Sequence, residues 1–348
     1  MIIIHLIIFL VAQLFILYFP GLLLFRLLYP GKKLSIIEGP ALFFAMGVFY
    51  FIIPMTISYF THQTWYFLIS IWMIEILSIL LILFIKKSNP LLNLFSRPDR
   101  IDLILLASFI IISITMFFHG AHFTGDASGH LSYIMRLSSK ELIDPYAPII
   151  KNTGQISFNY AYCLWYGIFA LFIKLTYIDL RILWDLSPCL FSFLIGSALY
   201  FFTSKIIKDK KFIFISFIIF YIYEFSRNWM DYKYLPYPDQ IARNILLFLA
   251  FGFLFEKLDK KRNLYINAFV LGLLMCSIVL IHMYSFFAFY FIGSFLFIGS
   301  LFFFDDEFRR KHLLISYTIS LIIILPFLFL RLFYSTYYER YIMKIFNI

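Results

Sequence analysis

The chain alternates long apolar runs with short polar stretches. A helix that crosses a bilayer needs about 20 mostly apolar residues, and ten runs fall near that length: 2–28, 36–60, 65–85, 101–118, 181–203, 212–228, 241–256, 263–281, 284–304 and 313–334. The first run is too long for a signal peptide and lacks a small-residue cleavage site. It contains Pro20 and Gly21, which predict a kink. The fold class that follows is an all-α polytopic membrane protein with about ten transmembrane helices.

A further apolar stretch, 156–178, decides the threading. The basic residues gather in five short loops: Lys32 and Lys33; Lys86, Lys87, Arg97 and Arg100; Lys205, Lys208, Lys210 and Lys211; Lys257, Lys260, Lys261 and Arg262; and Arg309, Arg310 and Lys311. Cytoplasmic loops carry the excess of Lys and Arg. All five clusters share the cytoplasmic side only if 156–178 does not cross. That stretch is therefore expected as a juxtamembrane or re-entrant helix on the outer face. Its Asn159, Tyr160, Tyr162, Trp165 and Tyr166 suit an interfacial position, where amphipathic rings settle.

Composition sharpens the class. The 348 residues are 63% hydrophobic and 14% charged, with a mean hydropathy of +0.90, against about 45–50% apolar and about 25% charged in soluble domains. The net charge of +10 lies in the short loops and accompanies no nucleic-acid motif, so no nucleic-acid partner is expected. The high content of Phe and Tyr reads as compositional bias. Cys163, Cys189 and Cys276 have neither metal-ligand nor thiol-redox spacing.

Two outer loops stand out, 119–160 and 228–240. Long loops in a compact protein are usually functional or disordered, and these are rich in Asp, His, Tyr, Pro and Arg. In the first, residues 126–140 read as a short amphipathic helix. Asp126 and His130 are four apart and share its face. Asp126 is read either as an N-cap or as a general base or metal ligand at the membrane surface, where a carboxylate is costly. His130 would orient that carboxylate, ligate a metal, contact a phosphate, or be structural. His119, His122, Asp126 and His130 have no zinc spacing.

The second loop brings Arg227, Lys233 and Arg243, which could hold a phosphate or pyrophosphate, beside Asp231 and Asp239. Those two are read as a second acid, a metal ligand or, for Asp239, a helix cap; every residue here also has the plain reading of a solvated loop. Arg181 and Asp185 are spaced to pair. His282 and Tyr284 sit in a tight outer turn that could line the same cavity.

The order of these features resembles the GT-C superfamily of integral membrane glycosyltransferases, which includes oligosaccharyltransferase catalytic subunits, protein mannosyltransferases and aminoarabinose transferases. The matching pieces are Gly125, Asp126, His130 and Tyr133 after a span, the stretch 160–177, the span 180–205 and the acidic second outer loop. The resemblance covers about residues 101–334, whose seven spans equal the superfamily's membrane module. Residues 1–100 are then an N-terminal three-helix addition, and 335–348 a short outer tail.

The resemblance implies inverting transfer of a sugar from a polyprenyl-phosphate donor, entering from the lipid bilayer, to a glycan, lipid or protein acceptor on the non-cytoplasmic face. It implies Asp126, with Asp231 and Asp239, as catalytic residues, and His130, Tyr133, Arg227, Lys233, Arg243, His282 and Tyr284 as substrate-binding. It allows a divalent metal, Mg or Mn, without demanding one. Many relatives continue past the seventh helix, whereas this sequence ends at Ile348. A minimal form, a fragment, half of a split enzyme, a non-catalytic membrane subunit and a transporter or flippase for a lipid-linked solute are the other expectations.

Overall fold

The computed structural model describes residues 2–61, 63–87, 94–123, 125–143, 163–256, 261–303 and 307–336. In chain order the helices are α1 (Ile2–Leu28), α2 (Gly39–Tyr59), α3 (Trp65–Ile85), α4 (Arg100–His119), α5 (Gly125–Ser139), α6 (Leu164–Thr176), α7 (Leu180–Ile206), α8 (Lys210–Ser226), α9 (Pro238–Phe255), α10 (Lys261–Ile281), α11 (Met283–Phe303) and α12 (Glu307–Thr336). No strand occurs among the described residues; two isolated bridges join loops. A helix lies at each of the ten predicted spans. Among the described residues, eight helices are long and apolar enough to cross a membrane.

Side-chain and backbone bonds sort the loops into two ends. At one end Lys205 lies 3.1 Å from Glu38 and 3.8 Å from Glu256, which also pairs with Lys32. Lys210 sits between Asp99 at 2.7 Å and Asp102 at 2.8 Å. Leu34 and Ser96 tie the loops after α1 and α3 together. Basic loops far apart in sequence thus meet at one end, as the threading requires.

The opposite end gathers the remaining loops. The Ile143 amide donates to the Gln63 carbonyl at 2.9 Å, and the Trp65 indole to the Lys140 carbonyl at 3.1 Å. The Ala121 amide donates to Asp185 at 3.1 Å. The His122 amide donates to the Lys233 carbonyl at 3.0 Å.

Both ends of α6 belong to this second end. The Trp165 indole donates to the Pro236 carbonyl at 2.8 Å, and Lys174 lies 5.6 Å from the Trp65 ring centre. A helix of 13 residues is about 20 Å long, and α6 starts and finishes on the same side. One expectation needs correction. Trp165 and Tyr166 are not interfacial rings; Leu164 to Phe172 are all buried. The helix α5 covers α6, and α1, α2 and α10 flank it. Phe9 and Phe44 of those flanking helices meet Phe172 and Trp165 edge-on at 5.2 and 6.0 Å. Asn159, Tyr160 and Tyr162 lie outside the described residues.

The disturbance expected at Pro20 is a π turn over Leu14–Tyr18, which widens the helix just before the residue that lacks an N–H. Beyond it Gly21 and Gly47 let α1 and α2 touch through backbone. A Cβ on Gly21 would fall 1.8 Å from the Phe43 carbonyl oxygen, and one on Gly47 2.1 Å from that of Leu17. Small residues permit such approaches between membrane helices.

Arg181 and Asp185 do not pair: the Asp185 carboxylate accepts from the Ala121 amide instead. Gly120, at φ +64°, lies so close that a Cβ would meet Asp185 at 2.2 Å. This carboxylate fixes where the first outer loop leaves α4.

Candidate functional site

The second outer loop is built by two reversals. At the end of α8, Asn228 and Trp229 both adopt positive φ (55° and 57°), and the Trp229 amide returns to the Glu224 carbonyl at 2.8 Å. A single helical turn, Met230–Lys233, follows. The chain then enters α9 at Pro238, a residue suited to a first helical position. The next turn, Ala242–Leu246, is π, a geometry frequent at functional sites.

These turns place two guanidiniums on one carboxylate. Arg243 lies 3.2 Å from Asp231 Oδ1 and Arg227 3.7 Å from its Oδ2. Asp231 pushes the exposed Arg227 further above its ordinary value. The amide of Asp231 donates to buried Glu224 at 3.2 Å. Gln240 organises the other wall: its carbonyl oxygen accepts from Arg243 at 2.9 Å and Asn244 at 2.7 Å, and its amide nitrogen donates to Asp239 at 3.0 Å. Asp239 is the second residue of α9 rather than its cap. The result is a cleft of about 360 Å³ lined by Arg227, Asp231, Tyr234, Tyr237, Asp239 and Arg243, among others.

The first outer loop reaches the same place. Its helix α5 spans nearly the predicted residues, so Asp126 and His130 stand one turn apart. Asp126 is the second residue of α5; its side chain lies outside the described set. His130 is buried, and its Nδ1 bonds the Tyr166 hydroxyl. The His130 ring meets Tyr237 of the cleft edge-on at 4.7 Å and stacks on Trp184 at 6.2 Å. Tyr133 stacks on Tyr166 at 5.7 Å. Asp239 is within electrostatic reach of both His130 and Arg243. Besides the His122 amide bond, the His122 ring packs 4.8 Å from Tyr234.

Neither His282 nor Tyr284 of the outer turn is among the residues that line the cleft, although Arg243 reaches His282 electrostatically. His282 bonds Ser285 through Nδ1 at 2.8 Å. Burial, with Arg331 and then Arg243 nearby, presses its pKa down to about 4, so it is neutral at pH 7. Tyr284 is 59% exposed and does not line the cleft. Lys233 also points away, donating to Asn228 at 3.1 Å on the surface.

Among the described side chains no three His, Cys, Asp or Glu gather around a point where a metal could sit. Sequence reasoning did not single out Gln240, Asn244, Tyr166 or Trp184 as site residues. Gln240, Arg243 and Asn244 lie at i, i+3 and i+4, a one-face spacing that could have flagged them together. Trp184 carried no such signal.

Compared with protein-family models, curated proteins and solved structures, the chain matches none. The class rests on the fold itself: this is an all-α, multi-pass integral membrane protein.

Proposed function

We propose that the protein is a membrane glycosyltransferase that moves a sugar from a polyprenyl-phosphate donor to a glycan, lipid or protein acceptor on the non-cytoplasmic face. The observation that carries this reading is the cleft at the end opposite the lysine-rich loops, where Arg227 and Arg243 share Asp231 and face Asp239. Basic guanidiniums recognise phosphate oxygens by charge and paired hydrogen bonds. The helix bearing Asp126 and His130 borders that cleft through Tyr237, and the order of elements resembles the GT-C superfamily.

In this reading the donor enters from the outer leaflet with its phosphate at Arg227 and Arg243. Asp126 takes the proton of an acceptor hydroxyl. The hydroxyl oxygen attacks the anomeric carbon, the bond from that carbon to the phosphate oxygen breaks, and the lipid phosphate leaves with the bonding pair. Inversion at the anomeric carbon follows from the single displacement. His130, held by Tyr166, Trp184 and Tyr237, keeps α5 against the cleft.

The test is sugar transfer from a polyprenyl-phosphate donor by membranes holding matched amounts of wild type and Asp126→Asn. Loss of a general base lowers transfer by about 10²–10⁴-fold. Transfer by the variant at the wild-type rate would remove Asp126 from the mechanism.

A further inference from the structure

Midway along the 21-residue α3, far from the outer cleft, stands a carboxyl group that the reading above does not use. Glu75 is about 15 Å from either end of its helix. Its neighbours Ile74 and Leu77 face outward, 62% and 56% exposed, while Ile76 and Trp72 pack with Leu23 and Tyr50. Glu75 shares the Trp72 side of α3, three residues on.

Three polar atoms are shut away here. Glu75 Oε2, the Tyr50 hydroxyl and the Trp72 indole nitrogen are each inaccessible and make no hydrogen bond among the described residues. Tyr50 is 5% exposed and lies within electrostatic reach of Glu75. The helices packed against α3 are α1 and α2. Their titratable groups are His5, Tyr18 and Arg26 on α1 and Tyr50 and Tyr59 on α2. Arg26 donates to the Lys32 carbonyl at the inner end. Of these groups Tyr50 is the one within electrostatic reach of Glu75, and no charged group acts on the Glu75 carboxyl among the described residues. Among the described residues no cation offsets a carboxylate at this depth, where an ion is costly and an ionisable residue points to function.

We propose that Glu75, Tyr50 and Trp72 form a proton-binding site at mid-membrane depth, with the Glu75 carboxyl as the group that takes the proton. The neutral acid offers an O–H and a carbonyl oxygen, and Tyr50 and Trp72 supply an acceptor and donors on the same side. Loss of the proton places a charge in the seam between α3 and its neighbours and weakens α3 packing. Proton occupancy is thereby linked to the seating of α3.

The test uses a lipid-soluble carbodiimide, dicyclohexylcarbodiimide, on the purified full chain in liposomes. A protonated carboxyl adds across its C=N bond, and the O-acylisourea rearranges to a stable N-acylurea with nothing expelled. Peptide mass spectrometry is expected to find this adduct on Glu75 at pH 6. Its yield should fall about tenfold for each pH unit above the midpoint. A water-soluble carbodiimide with an added amine should leave Glu75 unmodified. In the proposal Tyr50 and Trp72 turn their donors to the carboxylate once the proton leaves, so Tyr50→Phe and Trp72→Phe should each raise the midpoint by about half a unit to one unit. Glu75→Gln copies the protonated form and should melt like wild type at pH 7 without the adduct. An unmodified Glu75 at pH 6, equal labelling by the water-soluble reagent, or an unchanged midpoint in both aromatic variants would overturn the proposal.

Discussion

Removing Arg243 separates a binding role from a structural one. Its guanidinium lies 3.2 Å from Asp231 and 2.9 Å from Gln240, but half of the side chain is exposed. In Arg243→Ala, Asp231 keeps Arg227 at 3.7 Å, and the Gln240 oxygen keeps Asn244 at 2.7 Å. Buried Asn244 Oδ1 loses the Arg243 Nε that donates to it at a long 3.4 Å, so the stability cost is that of an exposed pair, about 0–1 kcal/mol, plus about 1 kcal/mol for that bond. The melting temperature in detergent should move by about 4 °C or less. Transfer should fall far more. A cation that meets the leaving phosphate acts like a donor to developing charge, and removing one such group costs about 10²–10³-fold, or about 2.7–4 kcal/mol. Arg243→Lys keeps the charge but not the planar fork and should lie between. Transfer and melting are measured on the same preparations. Transfer retained within about threefold, under 1 kcal/mol by the rate relation, would refute phosphate binding by Arg243. A melting drop beyond about 10 °C, several kcal/mol by the same scaling, would instead make it a structural residue.

Two further outcomes follow from packing and protonation. Gly21→Ala puts a Cβ 1.8 Å from the Phe43 carbonyl oxygen and 2.7 Å from the Gly47 nitrogen; backbone must move, and destabilisation of about 1–3 kcal/mol or more should appear as a lower melting temperature, whereas unchanged melting would mean α1 and α2 are not in backbone contact there. His282, with its pKa pressed from 6.5 to about 4, stays neutral in the folded chain while the unfolded chain takes up a proton below pH 6.5. Its contribution is complete above pH 6.5 and is lost progressively as pH falls towards 4. After discounting for partial exposure it is on the order of 2 kcal/mol. His282→Asn should flatten the melting curve across that window, and equal acid slopes in variant and wild type would rule this out.

The spans were legible because the bilayer imposes length and apolarity residue by residue, and the threading because charged loops cannot share a side with their complements at random. Lys32, Lys205 and Lys210, read as belonging to one side, do meet near Glu256, Glu38 and Asp102. Parity alone kept α6 on one side. Its burial was not legible, because it depends on Phe9, Phe44 and the covering α5, all distant in sequence. The cleft was half legible. Arg227, Asp231, Asp239 and Arg243 were visible as loop chemistry. Their convergence depends on the positive-φ pair Asn228 and Trp229 and on the π turn at Ala242–Leu246, neither of which has a local sequence signature. Lys233 and Tyr284 looked equivalent to their neighbours and point elsewhere, since one residue along a tight turn changes the side a group faces.

The two ends of the molecule use charge differently, and the difference bears on function. At the lysine-rich end three lysines are matched: Lys32 and Lys205 meet Glu38 and Glu256, and Lys210 sits between two aspartates. Burial alone would raise Glu256, yet Lys32 and Lys205 outweigh it and hold its carboxyl below the ordinary glutamate range. Such an arrangement clamps loops together. At the other end two guanidiniums share the single carboxylate of Asp231, and both are substantially exposed, 37% and 50%. Asp239 lines the same cleft, so two carboxylates face the two guanidiniums; what sets this end apart is that both guanidiniums are exposed, in fixed geometry beside aromatic rings. Exposed guanidiniums offer an anionic oxygen charge-assisted, paired hydrogen bonds. The exposed pair of guanidiniums is the support for the proposed phosphate site that does not depend on the order of elements resembling the glycosyltransferases.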